Sequence, residues 1–563
     1  MFTATRLQAV TYLFGICLFS ISFLVFLNSS VSFVITDLIK ERKGVGNAVG
    51  TLGFADELVA LIACPVWGAL SDRIGVRLVA VMGYSIVGLA LILFVQARNV
   101  FPELLLARLF FSIGGAATAT MVTAILPSMT ASPLGSQSTE NTRHSELIYR
   151  HAESPSISSE LTITPARLHA PVKTDLQNVE PSPAASPTRL AGLVGVFTGL
   201  GALLALGVFL PLPARFQKLQ YNAGEAVTYT YYIVGLVALL VAAYCALGLR
   251  KLNGEEQKSW ADIISLRKQA ASPSKVYPKL AYWRLLYKSI QLGYQHPLIG
   301  LGYLGGFVAR ASSVGISLFI PLYVNTYFIS AGLCDSKPID DPTQIKSRCP
   351  EAYVLAAQLT GVSQLVALLL APLFGYAADK YRRFHLPLLL AALVGMLGYI
   401  GLANLRSPLP SGASGSPIVF LVVSLLGISQ IGCIVCSLGL LGRGILGLEN
   451  EPNHIERSLL DSEPLQVENN VYEESDMLDE TTGLLDPEPS IPDKSLNYLK
   501  GSIAGVYSLL GGAGILLLTK LGGFLFDKSP AAPFYMLTSF NALLFLVGVL
   551  SSSINIMRRR RAD

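Results

Sequence analysis

The stretch GFADELVALIACPVWGALSDRIGVR, residues 53–77, decides the fold. It opens inside an apolar run that carries two adjacent carboxylates, Asp56 and Glu57, and it closes on the polar, glycine-flanked GALSDRIGVR. The chain around it has 563 residues, 52% hydrophobic and 14% charged, with the apolar positions gathered into long runs. That is the composition of a polytopic membrane protein. A helix needs about 20 apolar residues to cross a bilayer. Runs at 10–36, 46–70, 76–97, 101–128, 190–212, 226–249, 298–328, 352–376, 385–405, 417–446, 500–526 and 532–555 meet that requirement, which predicts an all-α membrane protein of twelve transmembrane helices. An even number places both termini on one side. The first run is too long for the h-region of a cleaved signal peptide and lacks a small-residue cleavage site, so it is expected to remain as span 1.

Lys and Arg near the span ends set the orientation. Arg73 and Arg77, then Arg250, Lys251, Arg267 and Lys268, then Lys380, Arg382 and Arg383, then Arg558 to Arg561 fall on one side, read as cytosolic; Lys40, Arg42 and Lys43 run against this. The net charge of +5 shows no aromatic interleaving, so it reads as topology determinants beside anionic lipid, with no nucleic-acid partner. Five cysteines lie inside spans as small apolar residues, and the Cys433/Cys436 pair has no second pair to complete a metal site. Cys334 and Cys349, in the polar stretch between spans 7 and 8, are a candidate disulfide on the oxidising side.

The chain divides into spans 1–4 (1–129), a Ser/Thr/Pro-rich cytosolic loop (130–188), spans 5–6 (189–249), a central cytosolic loop (250–297), spans 7–10 (298–446), an acidic cytosolic loop (447–498), and spans 11–12 with a basic tail (499–563). The first and last of these loops lack the apolar content for a core and are expected to be disordered. Ser132, Ser154, Ser182 and Ser186 each precede a proline in the first loop, which makes kinases candidate partners. The central loop ends in PKLAYWRLLYKSIQLGYQHP, where Lys279, Arg284 and Lys288 alternate with Tyr282, Trp283, Leu286 and Tyr287, a pattern that suits a short helix in the membrane interface.

An internal repeat follows from three features. GALSDRIGVR after span 2 has a counterpart in GYAADKYRRF after span 8, with Asp379 about 307 residues beyond Asp72. GVFTGLGALL in span 5 and GVYSLLGGAG in span 11 are about 310 residues apart, and the two long loops after spans 4 and 10 are separated by nearly the same amount. Two six-span halves repeated in the same orientation describe a common transporter architecture, with a site near the midplane between them.

These residues carry a resemblance. Gly68, Asp72, Arg73, Gly75 and Arg77 resemble the signature loop between the second and third spans of the major facilitator superfamily, and Gly375, Asp379 and Arg383 resemble its weaker second copy. Span 4, with Arg108 followed by Gly114 and Gly115, resembles that family's fourth-helix pattern. The likeness covers all twelve spans and is closest to poorly characterised fungal members with long cytosolic loops. Val76 stands where a basic residue is usual, Arg382 where the second copy has glycine, and span 5 lacks the Gly-Pro pair of the drug and proton antiporters, which weighs against antiport. The resemblance implies that Asp72 accepts hydrogen bonds from a helix N-terminus in the opposite half and holds an outward-open state, and span 11, starting near Leu499, is the natural partner. An anion on a helix dipole is worth about 0.3–2 kcal/mol.

The ionisable residues within the spans are Asp56, Glu57, Arg108, Arg310 and Lys520. Each costs at least about 2.5–3.5 kcal/mol at a helix centre, so each is expected to face a partner or a cavity. Asp56 and Glu57 point about 100° apart. Glu57 shares its face with Gly46, Gly50, Gly53, Cys64 and Gly68, a small-residue stripe read as a close-packing face; Asp56 shares its face with Val49, Leu52, Ala60, Ala63 and Trp67, which leaves lipid and another helix both open. One of the two, Glu57 first, is the candidate protonation site; the alternative is a permanent ion pair with Arg108. Arg310 and Arg108, with Asn28, Gln364 and Gln430, are the candidate substrate-binding residues, Arg310 as a clamp for a carboxylate or phosphate.

Glu480, Leu484 and Leu485 resemble an acidic dileucine sorting signal, which a sorting adaptor would read and which leaves a vacuolar or lysosomal-type membrane and the plasma membrane both open. No Gly-rich nucleotide loop, zinc motif or nucleophile elbow occurs, so neither ATP-driven pumping, an enzyme activity, a metal nor a cofactor is expected. The sequence therefore predicts a monomeric secondary transporter of a small molecule, working by alternating access and coupled to protons. A transporter-like sensor signalling through its cytosolic loops is the competing reading.

Overall fold

The chain is described by a computed structural model, which covers residues 3–41, 45–130, 186–250, 252, 282–333, 350–381, 385–405, 407–410, 416–449 and 499–560. Arg383, Cys334, Cys349, Glu480, Leu484 and Leu485 lie outside the described residues. Among the described residues twelve helices are long and apolar enough to cross a membrane: Arg6–Leu38, Ala48–Ile74, Val76–Phe94, Val100–Ile125, Pro187–Lys218, Ala223–Gly248, Pro297–Ser330, Val354–Lys380, Leu386–Ala403, Ile418–Gly447, Lys500–Lys528 and Ala532–Ser553. They are spans 1 to 12 in chain order. A bilayer offers no water to backbone amides, so each segment satisfies its own as a helix. Span 2 stops at Ile74 because Gly75 turns the chain at φ 92, a value a side chain would strain. Span 8 extends past the apolar run and carries Asp379 and Lys380 in its last turns.

Within the first half, span 3 packs on spans 4 and 6 and span 2 on span 4; within the second, span 9 packs on spans 10 and 12 and span 8 on span 10. Buried tyrosines tie the first half together, since a hydroxyl out of water needs an acceptor. Tyr12 donates to the Val122 carbonyl at 2.6 Å, Tyr84 to that of Ile16 at 2.9 Å, and Tyr231 shares a 2.8 Å bond with Ser30. The repeat extends to backbone detail: spans 5 and 11 each widen into a π-helical turn, at Ala205–Phe209 and Leu518–Gly522, and spans 2 and 8 each contain a proline, Pro65 and Pro372.

The halves meet where span 2 lies on span 11 and span 5 on spans 8 and 10. Backbone touches backbone there. A Cβ on Gly68 would stand 2.9 Å from the Gly505 Cα, and one on Gly192 would stand 3.0 Å from the Gly375 Cα. The small-residue stripe expected to pack along its length divides instead. Gly68 is in the contact, whereas Gly50 and Gly53, on the same face, have open space beside them. Span 8 repeats the pattern, with Gly375 packed and Gly361 uncovered. The two halves are thus closed at the end that holds Asp72 and Asp379, and they diverge toward the other.

The short helix Tyr282–Gln295 precedes span 7. Its Leu285 and Leu292 are buried, the Ser289 carbonyl accepts from Tyr303 at 3.1 Å, and Tyr287 and Tyr294 face outward.

Candidate functional site

In the first half, span 2 presents buried Asp56 to span 4, where the Arg108 Nη2 lies 2.5 Å and the Nε 3.1 Å from the same carboxylate oxygen. Arg108 also donates to the Asn28 side-chain oxygen on span 1, and Ser112 donates to the Asp56 carbonyl at 2.8 Å. This matched group has the hydrogen bonds that a buried ion pair needs to offset its desolvation. It brings three candidates together, Asn28, Asp56 and Arg108. Asn28 lies within span 1 and remains exposed although its partner is buried.

The second half has a neutral counterpart. Gln364 of span 8 donates to Gln430 of span 10 at 3.2 Å, and Gln430 donates to Ser313 of span 7 at 2.9 Å. Ser313 was not singled out in the sequence; its signal is its place one turn beyond Arg310 on the same face. Ser429 bonds Asn541 of span 12 at 3.4 Å and serves helix packing.

Two intramembrane charges stay unmatched. Neither Glu57 nor Arg310 has an ion pair or hydrogen bond among the described residues. Both are half-buried. Arg310 lies along span 11, its Cγ 2.8 Å from where a Cβ on Gly511 would stand, and it acts electrostatically on Glu57, as do Asp56 and Arg108. Glu57 belongs to the first half and Arg310 to the second, so that electrostatic interaction crosses the division between the halves. Farther from the closed end, the Lys520 ammonium of span 11 sits 3.9 Å from the centre of the Phe54 ring of span 2.

The closed end has two latches. Asp72 accepts from the main-chain amides of Gly501 and Ser502 and from the Ser502 hydroxyl, each at 2.6 Å, so it caps the N-terminus of span 11 in the opposite half. Nearby, buried Lys500 donates to Ser128 beyond span 4 at 3.0 Å. Asp379 receives the Ser186 hydroxyl at 2.5 Å and the Thr188 hydroxyl at 3.4 Å, and it pairs with the Arg189 Nε at 2.6 Å, all at the start of span 5. Gly75 makes the turn after Asp72, while Arg73 is exposed and Arg77 half-buried on the cytosol-assigned face. The sequence reading left Asp379 without named partners. The repeat contains them, because the offset that carries Asp72 onto Asp379 also carries the start of span 5 onto the start of span 11, so the counterpart of the Asp72 partner is the start of span 5.

The Major Facilitator Superfamily family model matches residues 18–133, which covers most of the first four spans. No curated protein matches the chain. Among solved structures, it is similar to the proton:xylose symporter XylE bound to 6-bromo-6-deoxy-D-glucose, at 13% identity and TM-score 0.50 over 96% of this chain and 94% of that one. It is also similar to the human organic anion transporter MFSD10 (TETRAN), at 12% identity and TM-score 0.49 over 96% and 99% of the two chains. A third similarity is to the E. coli fucose:proton symporter FucP, at 13% identity and TM-score 0.48 over 98% and 99%. The match to the superfamily lies in the first four spans, and the twelve membrane-length helices among the described residues make the chain a multi-pass membrane protein.

Proposed function

We propose that the protein is a secondary active transporter of a small molecule bearing an anionic group, working by alternating access, with Glu57 as the group that carries the coupled proton. The observation that carries this reading is the contrast within the membrane. Asp56 and Arg108 satisfy each other, whereas Glu57 and Arg310 stand unpaired on opposite halves. An unpaired intramembrane charge is costly and marks a pathway or a proton relay. Arg310 supplies a fork of donors for a carboxylate or phosphate. The Ser313, Gln430 and Gln364 chain offers neutral hydrogen bonds beside it. With the latch end assigned to the cytosol by its Lys and Arg, the arrangement is outward-open.

Protonation of Glu57 removes the charge that faces Arg310, and substrate arrival gives Arg310 a new partner. Both events change the interaction between halves, which is what a conformational equilibrium must feel in order to shift. The test is flux of radiolabelled organic anions into vesicles holding the purified protein, with and without a pH gradient. The expected result is gradient-driven accumulation in the wild type, with Glu57→Gln keeping exchange but losing accumulation by about tenfold or more. Flux indifferent to the gradient and to Glu57→Gln would falsify the coupling. No flux at all, with a signalling output lost on deleting 447–498, would favour the sensor reading.

A further inference from the structure

Ser186 belongs to the second latch and also to a sequence that enzymes read. Ser186-Pro187-Thr188-Arg189 has a proline directly after the hydroxyl and a cation three residues on, the pattern recognised by proline-directed serine/threonine kinases, and it closes a loop rich in Ser, Thr and Pro. Its side chain is buried, only 3% of the residue being exposed, and the hydroxyl donates to Asp379 at 2.5 Å. Ser186 is the residue before span 5, and Arg189, in the first turn of that span, pairs with the same carboxylate at 2.6 Å.

We propose that Ser186 is a phosphorylation site whose modification opens the second latch and holds the protein in the state in which that end is open. The kinase transfers the terminal phosphoryl group of ATP. The bond from the γ-phosphorus to the β–γ bridging oxygen breaks, a bond from that phosphorus to the Ser186 Oγ forms, the hydroxyl proton passes to the kinase base, and ADP leaves. The phosphoserine carries a charge of about −1.5 to −2. In the closed latch that charge would face the Asp379 carboxylate from hydrogen-bonding distance. Two effects then act in one direction. The phosphate repels Asp379, and it claims the Arg189 guanidinium, which stands beside it at a helix N-terminus that itself favours an anion. Span 5 gains a stronger cap while its contact with span 8 is lost.

Burial adds a direction to the switch. With the latch shut, Ser186 is out of reach of a kinase, so the mark is written on the open state and then maintains it. The first latch has no equivalent. Ser502 is followed by Ile503, and Asp72 is held in part by main-chain amides that no kinase modifies.

The inference rests on the two halves rocking as in the proposed function, but its test needs no substrate. Full-length protein in lipid nanodiscs would be incubated with ATP and a purified proline-directed kinase, and phosphate at Ser186 would be followed by peptide mass spectrometry. The outer opening would be read from maleimide labelling of a Gly53→Cys background, at the uncovered face of span 2. Phosphorylation is expected to be at least about tenfold faster when Asp379→Asn loosens the latch, and labelling about tenfold slower once Ser186 is phosphorylated, with Ser186→Ala abolishing the kinase effect. Equal phosphorylation rates with and without Asp379→Asn, or no phosphate at Ser186 in either protein, would overturn the proposal. Labelling that responds to Asp72→Ala but not to Ser186 phosphorylation overturns it alone; labelling that responds to neither overturns the rocking reading with it.

Discussion

The two latches occupy repeat-related positions and close the same end of the molecule, yet they are made of different materials. Asp72 sits on a helix N-terminus and takes two of its 2.6 Å bonds from the main chain of Gly501 and Ser502. Asp379 takes hydroxyls from Ser186 and Thr188 and a guanidinium from Arg189 whose side chain is 42% exposed. A latch that draws on backbone depends little on which side chains begin span 11. A latch drawn from side chains depends on every one of them, and its exposed ion pair is screened by salt. One end of the molecule thus has a fixed fastening and an adjustable one.

The largest effect expected from this difference is on removing the carboxylates. Hydrogen bonds to a charged group contribute about 1.5–3 kcal/mol each, and donors left buried without an acceptor add to the loss. Asp72→Ala should therefore shift the open-to-closed ratio at that end by about a hundredfold or more, and Asp379→Ala by about tenfold, since part of its binding is already solvent-screened. Labelling at Gly53→Cys measures both. Equal shifts would erase the distinction between the latches.

A smaller effect should come from the helix contacts that bring the latches into range. A Cβ at Gly68 would run into the Gly501 carbonyl oxygen, whereas one at Gly192 would meet the Ala371 carbonyl oxygen at 3.0 Å, a gap that a slight shift relieves. Overpacking of this kind costs about 1–3 kcal/mol. Gly68→Ala should open the latch end clearly and Gly192→Ala only several-fold, by the same labelling. The reverse order would show that the second contact is the tighter of the two.

The latch positions were legible in the sequence because a short glycine-flanked motif recurs at a fixed offset, and the family resemblance implied the start of span 11 as the Asp72 partner. Inside the membrane the sequence offered an ion pair with Arg108 as one of two readings but did not settle which acid makes it. Asp56 shares a face with Trp67, and the sequence left lipid and helix both open for that face. The structure turns it to span 4, where the Trp67 indole donates to the Ile113 carbonyl at 2.8 Å and Arg108 meets Asp56. Helix rotation is set by neighbouring helices, which one span's sequence does not contain. The stripe from Gly50 to Gly68 misled for a related reason. Small residues permit close approach, but whether a helix arrives depends on how the halves are tilted. Ser186 was visible as a proline-directed serine, and only the fold shows it and Arg189 together on Asp379.

The finest contrast lies in the turns that follow the latches. The first turns on Gly75, while the second reaches span 9 through His385, a non-glycine residue at φ 51. His385 is buried, neither ring nitrogen has a hydrogen-bond partner among the described residues, and burial together with the positive charge of Arg443 on span 10 pushes the imidazole down to about 4. An unfolded chain binds a proton at that histidine near pH 6.5, where the folded protein does not. The neutral ring therefore leaves stability intact above pH 6.5, and that contribution is lost progressively as pH falls from 6.5 toward 4. His385→Asn keeps a residue that tolerates the left-handed backbone and removes the titration. Melting temperatures of the purified protein between pH 7.5 and pH 4.5 should fall by a few degrees more in the wild type than in His385→Asn, an order set by linkage. Parallel curves would mean that the second turn, unlike the second latch, is as indifferent to its side chain as the first.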